Sequence, residues 1–360
     1  LWKRLKKNKG ALFGLLIISV SFFVAVFGYF IAPDNSPNAD LQTVEIQAKK
    51  PGYIQLFLRI RLPEKKETGW FETLFNGEPP AFKLIPLTGL PVFNKTEDSL
   101  IFNKYIDEDT AVRLAYSSSY LMTNYGVAKT INDLCIKKKY WLGTDKFGRD
   151  ILSRLMIGTR VSLAVGLIAV LISLTIGIIL GALAGYYKGW VDETVMWLVN
   201  VTWSIPTLLL VFAITMAMGK GFWQIFIAVG LTMWVSVARL VRGQVMAVKE
   251  LEYVQAARAL GFKNSRIILK HILPNIFGPI LVIAASNFAT AIIVEAGLSF
   301  LGIGVQPPQP SWGLMIKENY NFIITHNPML ALVPGFAIML LVLAFNLLGN
   351  GLRDAVDVKR

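Results

Sequence analysis

VSLAVGLIAVLISLTIGIILGALAGYY, residues 161–187, runs for 27 residues without a charge. A bilayer core about 30 Å thick is crossed by roughly 20 helical residues, so this run is long enough to span one. In hydrocarbon every backbone N–H and C=O must be bonded within the chain, which makes a spanning segment of this kind a helix. Five more uncharged runs fall at Gly10–Pro33, Thr194–Gly219, Gly221–Ala238, Ile272–Val294 and Pro328–Leu352. Six candidate spans follow, in a chain of 360 residues that is 54% hydrophobic and only 16% charged. A soluble domain carries about a quarter charged residues.

The first run is longer than a signal-peptide core and is followed by Pro33-Asp34-Asn35 rather than by small residues, so it reads as a retained span. Lys3, Arg4, Lys6, Lys7 and Lys9 precede it with no acid among them, which places the N-terminus in the cytoplasm. Counting six spans from there puts residues 239–271 and the tail 353–360 in the cytoplasm too. The first of these segments holds Arg239, Arg242, Lys249, Arg258, Lys263, Arg266 and Lys270 against Glu250 and Glu252. Orientation of a membrane protein thus accounts for the formal charge of +13 without a nucleic-acid partner. The one cysteine, Cys135, rules out an intrachain disulfide. His271 and His326 are too few and too far apart in this topology for a metal site.

Residues 34–140 form a polar insertion between the first two spans, with 14 basic and 13 acidic residues, and belong outside the cytoplasm. Tyr53–Leu62 alternates as a strand does, and Leu100–Tyr105 reads as another. Phe82–Phe93, interrupted by Pro86, Gly89 and Pro91, reads as loop or edge strand. Ala111–Tyr125 reads as helical. The whole is a small α+β insertion. Residues 141–160 lead into the second span, and residues 161–352 carry the other five spans. A second long outer loop, Gly302–Asn327, contains Pro307, Pro308 and Pro310.

The loop 243–274, between the fourth and fifth spans, has the most specific pattern. Glu250–Leu260 is built of helix formers, and Gly261 then suits a left-handed position past a helix end. Asn264 or Ser265 is placed to cap a second helix running to His271, and Pro274 stands near the start of the fifth span. Ala256 and Ala257 leave a shallow face that another protein can approach closely.

Ala256-Ala257, then Gly261 and later His271-Ile272-Leu273-Pro274, resembles the coupling loop of binding-protein-dependent ABC importer permeases. The wider stretch 252–261, EYVQAARALG, is similar to the dipeptide/oligopeptide/nickel branch, although Gln255 stands where that branch usually has Glu. Residues 142–154 with 158–163, and residues 295–304 with Pro307-Pro308-Gln309-Pro310-Ser311-Trp312-Gly313, look like the second, C-type, permease subunit of peptide importers. The resemblance covers the first span and residues from Trp141 onward, not the insertion. Trp197 and Asn200 also depart from the Arg and Asp common in the family.

The resemblance implies an all-α polytopic fold, the type I importer permease fold with six transmembrane helices, in a bacterial inner membrane. It implies a homologous second permease, two ATPase subunits or domains that bind ATP and Mg, and an extracytoplasmic solute-binding protein. Coupling to the ATPases would fall to Gln255, Ala256, Ala257, Gly261 and Pro274. No phosphate-binding Gly-x-x-x-x-Gly-Lys-Ser/Thr loop is present, so no nucleotide cofactor is expected in this chain. Asp145, Arg149, Asp150 and Glu295 are candidates for an outer mouth or gate. Asp145, Arg149, Asp150 and Arg154 read either as a solvated cluster or as groups that order the outer mouth and the receptor contact. Glu295 either reaches the headgroup layer or lines the path. A secondary transporter would place ionisable groups in mid-membrane, and a sensor or scaffold would explain the insertion but not the loop.

Overall fold

A computed structural model describes residues 2–62, 68–94, 98–117, 134–219, 221–325 and 327–356. His326, residues 118–125 of the expected helix and residues 357–360 of the tail lie outside these. The chain divides into two compact units. One gathers Leu1–Phe22, Val161–Gln306 and Phe336–Arg360, and the other gathers Phe23–Arg160 and Pro307–Gly335.

The helices longer than one turn are, in chain order, α1 (Lys9–Ile31), α2 (Trp70–Asn76), α3 (Ile151–Tyr187), α4 (Gly189–Ser204) and α5 (Thr207–Met218). They continue with α6 (Phe222–Lys249), α7 (Glu252–Ala259), α8 (Asn264–Leu301), α9 (Trp312–Asn319) and α10 (Met329–Val356). Among the described residues α1, α3, α6, α8 and α10 are each long and apolar enough to cross a membrane.

The expected third span, Thr194–Gly219, is not one helix. It breaks into α4 and α5, bent by 94°, so the spans number five, or six if the bent pair counts as one. The cause is local. Pro206 has no N–H to give a helix and forces its predecessor out of the helical region, and Ile205 is extended at φ −97°, ψ 128°. The second span also begins earlier than its uncharged run: α3 starts at Ile151 and carries Arg154 and Arg160 within it. Arg160 tolerates that position because its guanidinium donates to the Leu74 carbonyl at 2.8 Å.

Close packing in the first unit comes from small residues. Gly177, Gly181 and Gly185, four apart on α3, turn one stripe toward α6, and a Cβ on Gly181 would stand 2.5 Å from the Ala238 carbonyl oxygen. Without a hydrophobic drive between helices in lipid, such backbone proximity is what dispersion contacts need. Beside this seam Val165, Ala169, Phe226, Val229 and Leu298 are buried in one cluster.

The insertion is largely β. Six antiparallel strands, β1 (Tyr53–Arg61), β2 (Phe82–Leu87), β3 (Val92–Asn94), β4 (Ser99–Tyr105), β5 (Ala111–Ser117) and β6 (Cys135–Tyr140), form one sheet in the order β3-β4-β2-β1-β6, with β5 also on β4. The expected strands at 53–62 and 100–105 are present. The stretch 82–93 forms two strands, interrupted between Leu87 and Val92 where Gly89 and Pro91 stand. Pro86 is tolerated because β2 pairs along its length with β1 but meets β4 only at Leu87↔Lys104. The described part of 111–125 is a strand, not a helix, because Leu114 and Tyr116 turn inward on alternate positions against the sheet's core.

Replacing Gly181 by Leu should wedge α3 from α6 and lower stability by about 1–3 kcal/mol. Gly243→Ala, where a Cβ meets nothing within 4 Å, should be neutral or slightly stabilising. Thermal unfolding of the two purified variants in one detergent checks the contrast.

Candidate functional site

The loop that leaves α6 is organised by α7. Val254 and Ala257, three apart, share its inner face and pack with Ile267, Ile268 and Ile272. Ala257 is only 5% exposed, so the shallow outer face expected of both alanines belongs to Ala256 alone. Gln255 and Ala256 are exposed, and Leu260 beyond them is 74% exposed. The helix ends in a Schellman turn: the Phe262 N–H donates to the Ala257 carbonyl at 3.2 Å and the Gly261 N–H to Arg258 at 3.0 Å. Gly261 takes φ +77°, as that turn requires.

The second half of the loop runs into the membrane helix without a stop. From Asn264 the chain winds through a π-helical turn, Ile267–Ile272, and a 3-10 turn, Leu273–Ile276, into the α-helical part of α8. The expected halt at His271 is absent, because these turns accommodate Pro274 near the start of the 3-10 segment, where no N–H is needed. Asn264 does not cap by its side chain. Its Oδ1 accepts from the Tyr186 hydroxyl at 2.8 Å, at the end of α3. The Lys249 ammonium donates to the Tyr186 carbonyl at 2.7 Å, so both ends of the loop are tied to one turn of α3.

Two arginines of α6 reach α4. Arg242 forms a two-pronged ion pair with Asp192, one prong at 2.5 Å. Arg239 donates to Asn200 Oδ1 at 3.1 Å and lies 3.8 Å over the Trp203 ring. Asn200 therefore answers a cation on another helix, whereas Trp197 is 63% exposed.

Asp145, Arg149 and Asp150 are buried, not solvated. Asp145 is held by its own loop: one carboxylate oxygen accepts from the Phe147 and Arg149 N–H groups at 2.9 and 3.0 Å. The other accepts from Arg149 Nε at 2.6 Å. The loop turns at Gly148, φ +73°, where a Cβ would overlap the Thr43 carbonyl oxygen. Arg149 spreads over three carboxylates, reaching Asp40 at 3.0 Å and Glu318 of α9 at 2.7 Å. Arg154 faces the same three at 3.5–3.7 Å. Desolvation opposes the charge on Arg149, but Asp145, Glu318 and Asp40 outweigh it and raise its pKa. Asp150 stands apart, accepting from the Ser153 N–H at 3.1 Å and from its hydroxyl; burial pushes its carboxyl upward.

Glu295 is fully buried within the first unit. Its Oε1 accepts from the Ser299 hydroxyl at 2.7 Å, and Ser299 Oγ in turn accepts from the Val305 N–H at 3.1 Å. The carboxylate thus helps to fix the turn that ends α8. Sequence reading missed Asp40 and Glu318. The available signal was scarcity: Lys317 and Glu318 are the only Lys, Arg, Asp or Glu in the outer loop 302–327.

Comparison with known proteins joins these features to a family. Residues 177–360 match the binding-protein-dependent transport system inner membrane component, and residues 1–47 match the N-terminal TM domain of oligopeptide transport permease C. The glutathione transport system permease protein GsiD of Pectobacterium atrosepticum is 42% identical over 252 residues, 69% of this chain and 83% of its own. The dipeptide transport system permease protein DppC of Alkalihalophilus pseudofirmus is 45% identical over 221 residues, 61% of this chain and 72% of its own. The oligopeptide transport system permease protein OppC of Bacillus subtilis is 40% identical over 237 residues, 66% and 77% respectively.

Removing Arg149 would leave three carboxylates facing Arg154 alone. Arg149→Ala should cost about 3–5 kcal/mol. Glu318→Gln, which keeps an acceptor and removes one of the three negative charges, should cost less than half of that. Equal tolerance of both, read as thermal unfolding midpoints, would contradict a stabilising role for the cluster.

Proposed function

Since the chain belongs to the binding-protein-dependent transport system inner membrane component family, we propose that it is the C-type permease subunit of an ATP-driven importer of peptides. The transport path forms between this chain and a homologous second permease. Two ATPase subunits or domains bind ATP and Mg and perform the hydrolysis, and a solute-binding protein delivers cargo from outside the cytoplasm. Both termini and the loop 243–274 lie on the cytoplasmic side, and the sheet-bearing insertion lies opposite. Peptide cargo is supported by the relatives, whose names specify dipeptide, oligopeptide and glutathione transport.

The observation that carries this reading is α7. It offers Gln255, Ala256 and Leu260 outward while Val254 and Ala257 anchor it inward. Through Tyr186–Asn264 and Lys249–Tyr186 its loop is joined to α3, and through the unbroken turns 264–276 to α8. A displacement of α7 by a closing ATPase pair is therefore passed to two spanning helices together. Gln255 also donates to the Glu250 carbonyl at 3.0 Å, which leaves its amide oxygen for a partner.

Gly261→Val tests the coupling. No atom lies within 4 Å of the added Cβ, so the substitution acts through the positive φ alone. Strain of about 1–3 kcal/mol is enough to misplace α7 without unfolding the spans. The variant should reach the membrane and assemble with its partners, yet fail to transport, and ATP hydrolysis should no longer respond to loaded binding protein. Gln255→Glu should be tolerated. Normal transport by Gly261→Val at normal expression would overturn the assignment.

A further inference from the structure

The strands β1 and β2 pair up to Arg61↔Phe82, and beyond them the Leu62 N–H donates to the Ala81 carbonyl at 3.0 Å. A turn of about two to five residues closes most hairpins of this kind. Here the chain leaves the sheet instead and forms α2, Trp70–Asn76, before it returns as β2. No residue of α2 is buried, so the core of the sheet does not account for it. At about 3.6 residues per turn, Trp70, Phe71, Leu74 and Phe75 share one face, with Glu72, Thr73 and Asn76 opposite. Trp70, Phe71 and Phe75 are 55%, 71% and 64% exposed.

Two spanning helices fix the level at which this face stands. Phe30, in the last turn of α1, stacks with Trp70 at 6.2 Å between ring centroids, and Trp70 meets Phe71 edge to face at 4.8 Å. Further down α1, Phe23 and Phe27 pair at 4.9 Å and are exposed. Among the described residues, α1 is the least buried of the five spanning helices, as a lipid-facing helix is. The rings thus form one strip that starts within a span and continues onto α2. Arg160, the last residue before the uncharged run 161–187, reaches α2 from α3. Its guanidinium donates to the Leu74 carbonyl at 2.8 Å, a group left free at the helix end, and lies over the Tyr29 and Phe75 rings. The two spans meet here: a Cβ on Gly28 of α1 would stand 3.3 Å from the Ile157 side chain of α3. The end of α2 is seated at the same level. Gly77 takes φ +79°, a Cβ there would stand 2.8 Å from the Tyr29 ring, and the Glu78 N–H donates to the Asn35 carbonyl at 2.8 Å.

We propose that α2 is a membrane-surface anchor whose aromatic face enters the boundary between headgroups and acyl chains at that end of α1. Aromatic rings with polar neighbours, placed where apolar runs end, are what that boundary selects. The medium that covers Phe23 and Phe27 on α1 also covers Trp70 and Phe71, because the strip is continuous. Burial of apolar surface holds the helix there, so no particular headgroup is needed. The anchor fixes the base of the β1–β2 hairpin to the bilayer. It rests on α1 being a spanning helix and not on the transport reading.

Nitroxide accessibility tests this on the full-length chain, with the subunits that copurify with it, in phosphatidylcholine nanodiscs. With Cys135 replaced by Ser, spin labels are attached singly to Phe71→Cys, Phe75→Cys and, on the opposite face, Asn76→Cys. Collisions with oxygen, which concentrates among acyl chains, are compared with collisions with a water-soluble nickel chelate. The oxygen-to-nickel ratio should be several-fold higher at positions 71 and 75 than at 76. Each of the two leaves the other ring in place, so either carries the test if one variant does not fold. Ratios at 71 and 75 as low as at 76 would overturn the anchor and leave α2 in water. Shielding of both positions from oxygen and nickel alike would overturn it in favour of a protein partner.

Discussion

A hydrogen-bonding group in hydrocarbon has no water to turn to, and a charge there has none to shield it. The first unit follows from that constraint. Its uncharged runs become helices whose backbones satisfy themselves. At Ser204-Ile205-Pro206 the helix turns by 94° instead of continuing with a missing bond. Several polar side chains that enter these helices are answered within the chain. Arg242 meets Asp192, Arg239 meets Asn200 and a tryptophan ring, and Glu295 meets Ser299. The Gly177-Gly181-Gly185 stripe follows from the same solvent, because lipid gives helices no reason to associate except close contact.

The loop at α7 is held as one rigid piece against this bundle. A helix of eight residues has little stability alone, so it is held at both ends and from below. The Schellman turn at Gly261 fixes where it stops, the isoleucines of the π-helical turn hold its inner face, and Tyr186 joins the loop to α3. The proposed coupling depends on that rigidity, because a contact that bends does not transmit displacement.

Much of this was legible because charge and glycine punctuation are local signals. The spans at 10–33, 161–187, 221–238, 272–294 and 328–352 follow from absent charges, and the helix ending at Gly261 from helix formers and one glycine. What failed had competing local signals. Ala111–Ser117 contains good helix formers, yet Val112, Leu114 and Tyr116 alternate, and pairing with β4 decided the outcome. Pro206 lay in plain view within an uncharged run, but hydropathy ignores a missing N–H. Ala257 was assigned outward although its spacing from Val254 puts it on the buried face. The partners of Arg149 were not legible at all, since Asp40 and Glu318 stand 109 and 169 residues away in sequence. Ion pairs between distant segments leave no periodicity to read.

The central claim is that α7 is the surface through which ATPase movement reaches the spans. Site-directed cross-linking addresses it directly. With Cys135 replaced by Ser and Ala256 by Cys, a short photoactivatable thiol reagent is attached and the assembled complex is irradiated in membranes. The account predicts a cross-link to an ATPase subunit, in a yield that changes when ATP is bound and hydrolysis is blocked. A label at residue 256 that reacts with lipid or solvent alone, in a complex that retains its ATPase subunits, would contradict it.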